Sequence, residues 1–164
     1  MPGSAFPSPD SLAAPVLAAG DVARGIGRLF ARNDIWCLPE MPLRSGRRAD
    51  LMGIDAKGLV VIVEIKVSRA DLLGDLKKPA KRAAYLGMAS ACWYVLGHDA
   101  KGRPIAQPEE VPPECGVMYA RDGELSIARE APRRAIERLP FHVWMTLAQT
   151  EPAVRLEESG QARF

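Results

Sequence analysis

The sequence predicts one α/β domain, in which a mixed sheet is flanked by helices and the core elements follow the order αβββαβ. Its 164 residues, 48% of them hydrophobic and 26% charged, suit a single globular domain with a buried core. Apolar runs of strand length alternate with segments of helical spacing. Gly-rich phosphate loops, nucleotide-binding fingerprints, catalytic Ser/His/Asp sets and internal repeats are absent, which excludes most competing enzyme classes. We predict a disordered N-terminus over residues 1–10, a single domain over 11–150 and a flexible tail over 151–164.

The first predicted elements are a helix and an edge strand. Apolar residues from Leu12 onward recur at helical spacing, which predicts one amphipathic helix or two short helices split near Gly20. Residues 35–43 then form a predicted strand. Pro39 and Pro42 interrupt it, and proline within sheets is confined largely to edges, so we place this strand near the edge of the sheet.

The next two strands carry the charged residues around which the chain is organised. Strand side chains alternate between the two faces of a sheet, so Glu64 and Lys66 share one face of a strand over residues 58–68. The opposite face of that strand is apolar and β-branched. The preceding strand carries Asp50, and a turn at residues 55–58 predicts a hairpin. An even register in this hairpin sets Asp50 beside Glu64 or diagonal to it.

This pair of carboxylates indicates a metal ion. Asp50 and Glu64 would repel each other unless a cation lay between them, and oxygen ligands of this kind suit Mg²⁺ or Mn²⁺. Lys66, beside the ion, would orient or deprotonate an attacking water, or neutralise charge that develops on a phosphate.

A helix follows the second charged strand. Ser68 and Asp71 have the spacing of a capping box, with Ser68 as the N-cap. That structural role accounts for both residues, and it is compatible with a supporting role behind Lys66. Asp75 is spaced to pair with Lys78. The residues expected to face inward are Leu72, Leu73 and Leu76.

The rest of the chain predicts a second helix and three more strands. Pro79 should separate the two helices. Residues 91–97 form a predicted strand, and an Asp-Gly pair at 122–123 marks the turn of a hairpin. After Pro132 a basic helical stretch is expected to extend to about residue 150.

Basic residues are concentrated around the charged strands. The net charge of the chain is only +2, yet residues 44–82 contain ten Lys and Arg against five Asp and Glu, a local balance of +5. Such a zone would attract a phosphodiester backbone, and a solvated surface is the alternative interpretation. Arg48 has a second option, a pair with Asp50 or Glu64 when no metal is bound. The candidate DNA contacts are Arg47, Arg48, Lys77, Lys78, Lys81 and Arg82.

Cysteine usage and hydropathy bear on the cellular context. Three cysteines without CxxC spacing predict free thiols in a reducing cytoplasm. No stretch of about 18 apolar residues is present, which argues against a membrane span. The Ala-rich N-terminal stretch has no basic residue before Arg24 and is broken by Pro15, so a secretory signal is not expected. We therefore predict a cytoplasmic protein.

The charged strands resemble a known nuclease signature. Asp50, thirteen intervening residues and then Glu64-Ile65-Lys66 resemble the PD-(D/E)XK motif, with Ala49 in place of its proline. The longer stretch GRRADLMGID…VVIVEIKVSRADLLGDLKK resembles the MmcB-like DNA-repair family, over roughly residues 22–130. This resemblance implies a restriction-endonuclease-like αβββαβ core.

The resemblance also implies roles for individual residues. Asp50 and Glu64 would hold Mg²⁺ or Mn²⁺, with the backbone carbonyl of Ile65 completing the ligand set and Lys66 positioning water for phosphodiester hydrolysis. Related folds bring in a further carboxylate from the preceding element, for which Glu40 is the candidate. A solvent-facing glutamate between two prolines is the plainer alternative.

Two functions fit these expectations. The first is a metal-dependent deoxyribonuclease that acts in DNA repair. The second is a non-catalytic DNA-binding accessory module that keeps the fold and the basic surface. A protein-binding relic of the fold is a third alternative. DNA is the expected partner, and a homodimer and contacts with other DNA-repair proteins are further expectations.

Overall fold

The computed structural model describes residues 16–42, 48–136, 139, 144, 145 and 149. The predicted disordered N-terminus, the predicted C-terminal tail and the candidate DNA contact Arg47 lie outside the described residues.

Six strands form one mixed sheet in the order β1-β2-β3-β4-β5-β6. The β1–β2, β2–β3 and β5–β6 pairs are antiparallel, whereas β3–β4 and β4–β5 are parallel. The predicted mixed α/β architecture is therefore confirmed, and β1 lies at an edge as its prolines indicated. The elements in chain order are α1 (Ala19–Arg32), β1 (Ile35–Pro42), β2 (Arg48–Asp55), β3 (Val60–Lys66), α2 (Arg69–Leu76), α3 (Pro79–Leu86), β4 (Ala91–Leu96), β5 (Gly116–Arg121) and β6 (Glu124–Arg129).

Helices cover both faces of the sheet. On one face, α1 packs its buried Val22, Ile26 and Phe30 in a cluster that includes Val63 and Ile65 of β3. The other face packs against α2 and α3 in a second cluster, whose members include Met52, Ile62, Leu72, Tyr85 and Tyr94. Because side chains alternate along β3, its β-branched face lies under α1 and its charged face lies under α2 and α3.

A tight turn fixes the register of the β2–β3 hairpin. Asp55 Oδ1 accepts hydrogen bonds from the backbone N–H groups of Lys57 and Leu59, both at 2.8 Å. Gly58 has φ of +79°, a backbone conformation that favours glycine. The resulting register sets Leu51 opposite Val63. The next residue pair in this register is Asp50 with Glu64, so the even register predicted from the sequence is confirmed.

The helical segments differ from the prediction in three places. Helix α1 begins at Ala19, so residues 16–18 precede it. Leu72 is buried but Leu73 is 42% exposed, because neighbouring positions on a helix point about 100° apart and cannot both face the sheet. Asp75 turns inward and pairs with Lys81 instead of Lys78.

The C-terminal helix is also shorter than predicted within the described residues. Residues 131–136 are not helical, whereas residues 144, 145 and 149 are.

The β5–β6 hairpin is confirmed, and its turn residues Asp122 and Gly123 both have positive φ.

Two arginines hold the Pro-rich loop between β4 and β5. Arg129 donates hydrogen bonds to the carbonyls of four residues, Pro108, Val111, Pro112 and Cys115. Arg69, at the start of α2, donates to Ile105 O at 2.9 Å and pairs with Glu110 at 2.5 Å. The Arg129 contacts tie the loop to β6, and the Arg69 contacts tie it to α2, which covers the charged face of β3.

The structure also tests the predictions made for the cysteines and for a membrane span. All three cysteines are buried and free, as predicted. None of the helices in the described ranges combines the length and the apolar character needed to cross a bilayer.

Leu72→Ala is expected to lower the free energy of unfolding by about 2–5 kcal/mol, because it removes a fully buried side chain from the core beneath α2. Leu73→Ala is the matched control on the same helix, and we expect a change within about 0.5 kcal/mol. Urea unfolding followed by circular dichroism measures both. Equal losses for the two variants would contradict the orientation of α2.

The Arg69–Glu110 tie predicts a specific pH dependence of stability. Hydrogen bonds from Arg69 and from the Gln107 N–H lower the pKa of Glu110 to about 2, from an ordinary value of 4.5. The unfolded chain therefore binds a proton more readily than the folded chain between these values, and the stabilisation present above pH 4.5 is lost as the pH falls towards 2. We expect the melting temperature of Glu110→Gln to approach that of the wild type over this window. A constant difference between the two proteins would contradict it.

Candidate functional site

The three signature residues converge where β2 begins and β3 ends, on the sheet face covered by α2 and α3. Asp50 lies near the start of β2, and Glu64 and Lys66 lie near the end of β3. The backbone N–H of Ile65 donates to Asp50 Oδ2 at 2.7 Å, so this carboxylate extends the contact between the strands beyond the last backbone pair, Leu51 with Val63.

Lys66 is surrounded by carboxylates. Its Nζ lies 3.1 Å from Glu64 Oε2, where it donates a hydrogen bond, and 3.8 Å from Asp75 Oδ1. Asp71 Oδ2 and Asp50 Oδ2 follow at 3.9 and 4.0 Å. Glu64 is only 2% exposed and Lys66 only 5%, whereas Asp50 and Asp71 reach solvent. The cluster thus has a buried interior and an acidic mouth.

A second lysine reaches the same interior from α3. Lys81 Nζ donates to Glu64 Oε2 at 2.7 Å and to Asp75 Oδ1 at 2.8 Å. Asp75 is fixed in turn by Tyr94, whose hydroxyl donates to Oδ2 at 2.7 Å. Both oxygens of Asp75 are therefore engaged by protein donors, whereas Glu64 accepts through Oε2 and its Oε1 has no donor within the described residues.

Helix α2 supplies the two acids that surround Lys66 from above the sheet. The Ser68 hydroxyl accepts a hydrogen bond from the Asp71 N–H at 3.2 Å, which confirms Ser68 as the N-cap. The same cap sets Asp71 near Lys66, as a supporting role behind that lysine requires. Asp75 lies one helical turn further along the same side.

The sequence reasoning missed part of this cluster. It assigned Asp75 to Lys78 and Lys81 to DNA, and it gave Tyr94 no role in the cluster. One signal was available: the strand register pairs Glu64 with Tyr94, and laterally paired residues in a sheet share a face. Lys81 carried no such signal, because its position depends on the angle at which α3 leaves Pro79.

The pKa directions follow from burial and from these charges. Burial raises the pKa of Asp50 and the neighbouring Glu64 raises it further, and together they outweigh the Ile65 N–H and the two lysines. For Lys66, burial lowers the pKa, but Glu64, Asp75 and Asp50 outweigh it, so the net pKa is raised. Asp75 shows the opposite balance to Asp50. Burial raises its pKa, but hydrogen bonds from Lys81 and Tyr94 lower it more.

The donor set fits a divalent cation in part. Glu64 Oε1 is buried and has no hydrogen-bond partner within the described part of the chain, which leaves one oxygen for an ion. In a strand the N–H and C=O of one residue point to the same side, so the carbonyl of Ile65 also faces Asp50. Against these donors, residues 16–42 and 48–136 contain no group of three His, Cys, Asp or Glu side chains arranged to hold a metal. The two ammonium groups lie among the acids instead.

Glu40 and Arg48 pair with each other outside this cluster. Arg48 donates to Glu40 Oε2 at 3.1 Å, and both side chains are mostly exposed. Arg48 therefore uses neither of its predicted partners, Asp50 and Glu64. Glu40 is not among the four carboxylates around Lys66, and its role as a metal ligand stays a prediction.

The other predicted DNA contacts divide into two groups. Lys77 and Lys78 are exposed at the junction of α2 and α3. Lys81 and Arg82 point inward, with side chains only 13% and 15% exposed, because α3 turns that side towards the sheet and towards Glu114. The predicted basic surface is thereby narrowed to Arg48, Lys77 and Lys78 among the described candidates.

Comparisons with known proteins bear on this fold and site. A family model described as DNA repair protein MmcB-like matches residues 14–162. Among solved structures, the SPO1766 protein of unknown function from Silicibacter pomeroyi is similar, with 29% sequence identity and a TM-score of 0.57. That match covers 81% of this chain and 83% of the other. No curated protein matches. Because the family match spans nearly the whole chain, the predicted resemblance to the MmcB-like family is confirmed, and the chain belongs to the MmcB-like family of DNA repair proteins.

Proposed function

We propose that the protein is a divalent-metal-dependent deoxyribonuclease that hydrolyses phosphodiester bonds during DNA repair. The observation that carries this proposal is the convergence of Asp50, Glu64 and Lys66 on one sheet face, with the lysine nitrogen within 4.0 Å of both carboxylates. Family membership supports the repair role. Asp50, Glu64 and the Ile65 carbonyl would hold Mg²⁺ or Mn²⁺, both of which favour oxygen ligands.

The charge of the cluster supports a divalent ion. Four carboxylates lie within 4.0 Å of Lys66 Nζ, and two ammonium groups face them, which leaves a formal charge of −2 when all are ionised. One divalent cation would neutralise that charge. Burial raises the pKa of Asp50 and the neighbouring Glu64 raises it further, as expected for a carboxylate whose negative charge is poorly compensated.

The bound ion and the side chains around it would have different roles in the proposed hydrolysis. The bound ion would supply positive charge to polarise the phosphate and favour ionisation of water. Burial lowers the pKa of Lys66, but Glu64, Asp75 and Asp50 raise it more. We therefore propose that Lys66 acts as a positive charge that orients water and stabilises charge on the phosphate. That role fits an ammonium better than a general base. Asp71 and Asp75 hold Lys66 in place from α2.

A DNA-binding accessory module is the second candidate. It is favoured by Glu64, whose Oε2 already accepts hydrogen bonds from two lysines and whose side chain is almost fully buried. In that case the cluster of charged side chains around Lys66 is structural. DNA binding would then depend on the exposed basic residues Arg48, Lys77 and Lys78. In both cases we propose a cytoplasmic protein with DNA as partner. A homodimer and contacts with other repair proteins are further proposals that sedimentation with and without DNA would test.

Incubation with single-stranded, nicked and branched DNA tests the nuclease directly. We expect cleavage that requires Mg²⁺ or Mn²⁺, and a loss of at least about 100-fold in rate for Asp50→Asn and Lys66→Met, since each removes a charge at the reacting phosphate. Asp122→Asn is the control, because this exposed acid lies in the β5–β6 turn and asparagine tolerates its positive φ. Tight binding without cleavage on every substrate would favour the accessory module.

The narrowed basic surface makes a separate prediction about DNA affinity. Replacing Lys77 and Lys78 by glutamine should weaken binding and reduce the slope of log K against log salt by about 2, because each phosphate contact contributes about 1. The matched control replaces two other exposed lysines, Lys57 and Lys101. Fluorescence anisotropy over a salt series measures both. Identical slopes for the two double variants would contradict a DNA contact at the α2–α3 junction.

A further inference from the structure

We propose that Lys81 is an internal counter-ion that competes with the divalent cation for Glu64, so that helix α3 sets the metal affinity of the site. This inference rests on the proposed metal site. It replaces the role of Lys81 as a DNA contact, which its inward direction does not support.

Lys81 occupies a built position. Its Nζ lies 2.7 Å from Glu64 Oε2 and 2.8 Å from Asp75 Oδ1, and the ring of Tyr85 lies 5.5 Å from it. The Lys81–Glu64 contact is shorter than the contact of Lys66 with the same oxygen, which is 3.1 Å. Two ammonium groups therefore share one carboxylate oxygen that a metal ion would also attract.

Competition follows from the charges. A cation next to a carboxylate reduces the electrostatic gain from a second cation at that carboxylate, and the reduction is large where water is largely excluded, as around Glu64. Removing the charge of Lys81 would change the formal charge of the cluster from −2 to −3 and should strengthen cation binding.

The structure also provides a place for Lys81 when an ion binds. Asp75 accepts from Lys81 through Oδ1 and is held independently by Tyr94 through Oδ2. Lys81 can therefore give up Glu64 and keep a charged partner, and its flexible stem allows that small shift. Lys66 is placed differently, since its hydrogen bond is to Glu64 and the other three carboxylates lie 3.8 to 4.0 Å from its Nζ. Lys81 would thus act as a positioning residue that works through Glu64.

Calorimetric titration of the full chain with Mn²⁺ and Mg²⁺, without DNA, tests this inference. We expect Lys81→Met to bind Mn²⁺ at least about tenfold more tightly than the wild type. Lys101→Met is the control, because it removes an equal charge at an exposed position in the β4–β5 loop, and it should change the affinity less than about twofold. If Lys81→Met does not fold, Lys81→Gln is the second variant, because its neutral amide keeps hydrogen bonds to the two acids. Circular dichroism reports folding.

The outcomes separate the inference from the metal site. Tighter binding by Lys81→Met or by folded Lys81→Gln, abolished when Asp50→Asn is added, supports both. Wild-type binding that Asp50→Asn abolishes and that is unchanged or weakened by loss of Lys81 overturns the inference and leaves the metal site standing. Absence of binding in the wild type and in both Lys81 variants removes the metal site, and the inference with it.

Discussion

The burial of Glu64 is the constraint on which the rest of this structure depends. A carboxylate with 2% exposure in the middle of a sheet cannot stay charged unless cations and donors surround it. Lys66 from the same strand supplies one cation and Lys81 from α3 supplies the other. Helices α2 and α3 are therefore held to the sheet by ion pairs between side chains as well as by apolar packing. The candidate site is therefore complete only when both helices pack on this face of the sheet.

Much of the fold could be read from the sequence because its causes are local. The alternation along residues 60–66 sets the two faces of β3, and the turns at residues 55–58 and 122–123 set the two hairpins. Asp50, Glu64 and Lys66 could be placed together for the same reason, since a hairpin register relates them within fifteen residues or so.

The parts that could not be predicted depend on how helices pack. Leu72 and Leu73 are equivalent in hydropathy, and only the rotation of α2 against the sheet decides which one is buried. The sequence predicts a surface position for Lys81, because it lies in a basic run from Lys77 to Arg82. In the structure, α3 directs the Lys81 side chain towards the sheet, where it pairs with Glu64. Charge composition describes a segment, and the direction of each side chain decides what that charge meets.

The hydrogen bond from the Ile65 amide to Asp50 has a consequence for how such a protein can change over time. A carboxylate here closes the end of a strand pair, so the chain needs an oxygen at position 50 merely to keep its sheet intact. A related chain with this strand pair would therefore retain an acid or amide at this position whether or not it cleaves DNA. Retention of an acid or amide at position 50 is therefore weak support for enzymatic activity. Retention of a residue that has no structural role would be stronger support.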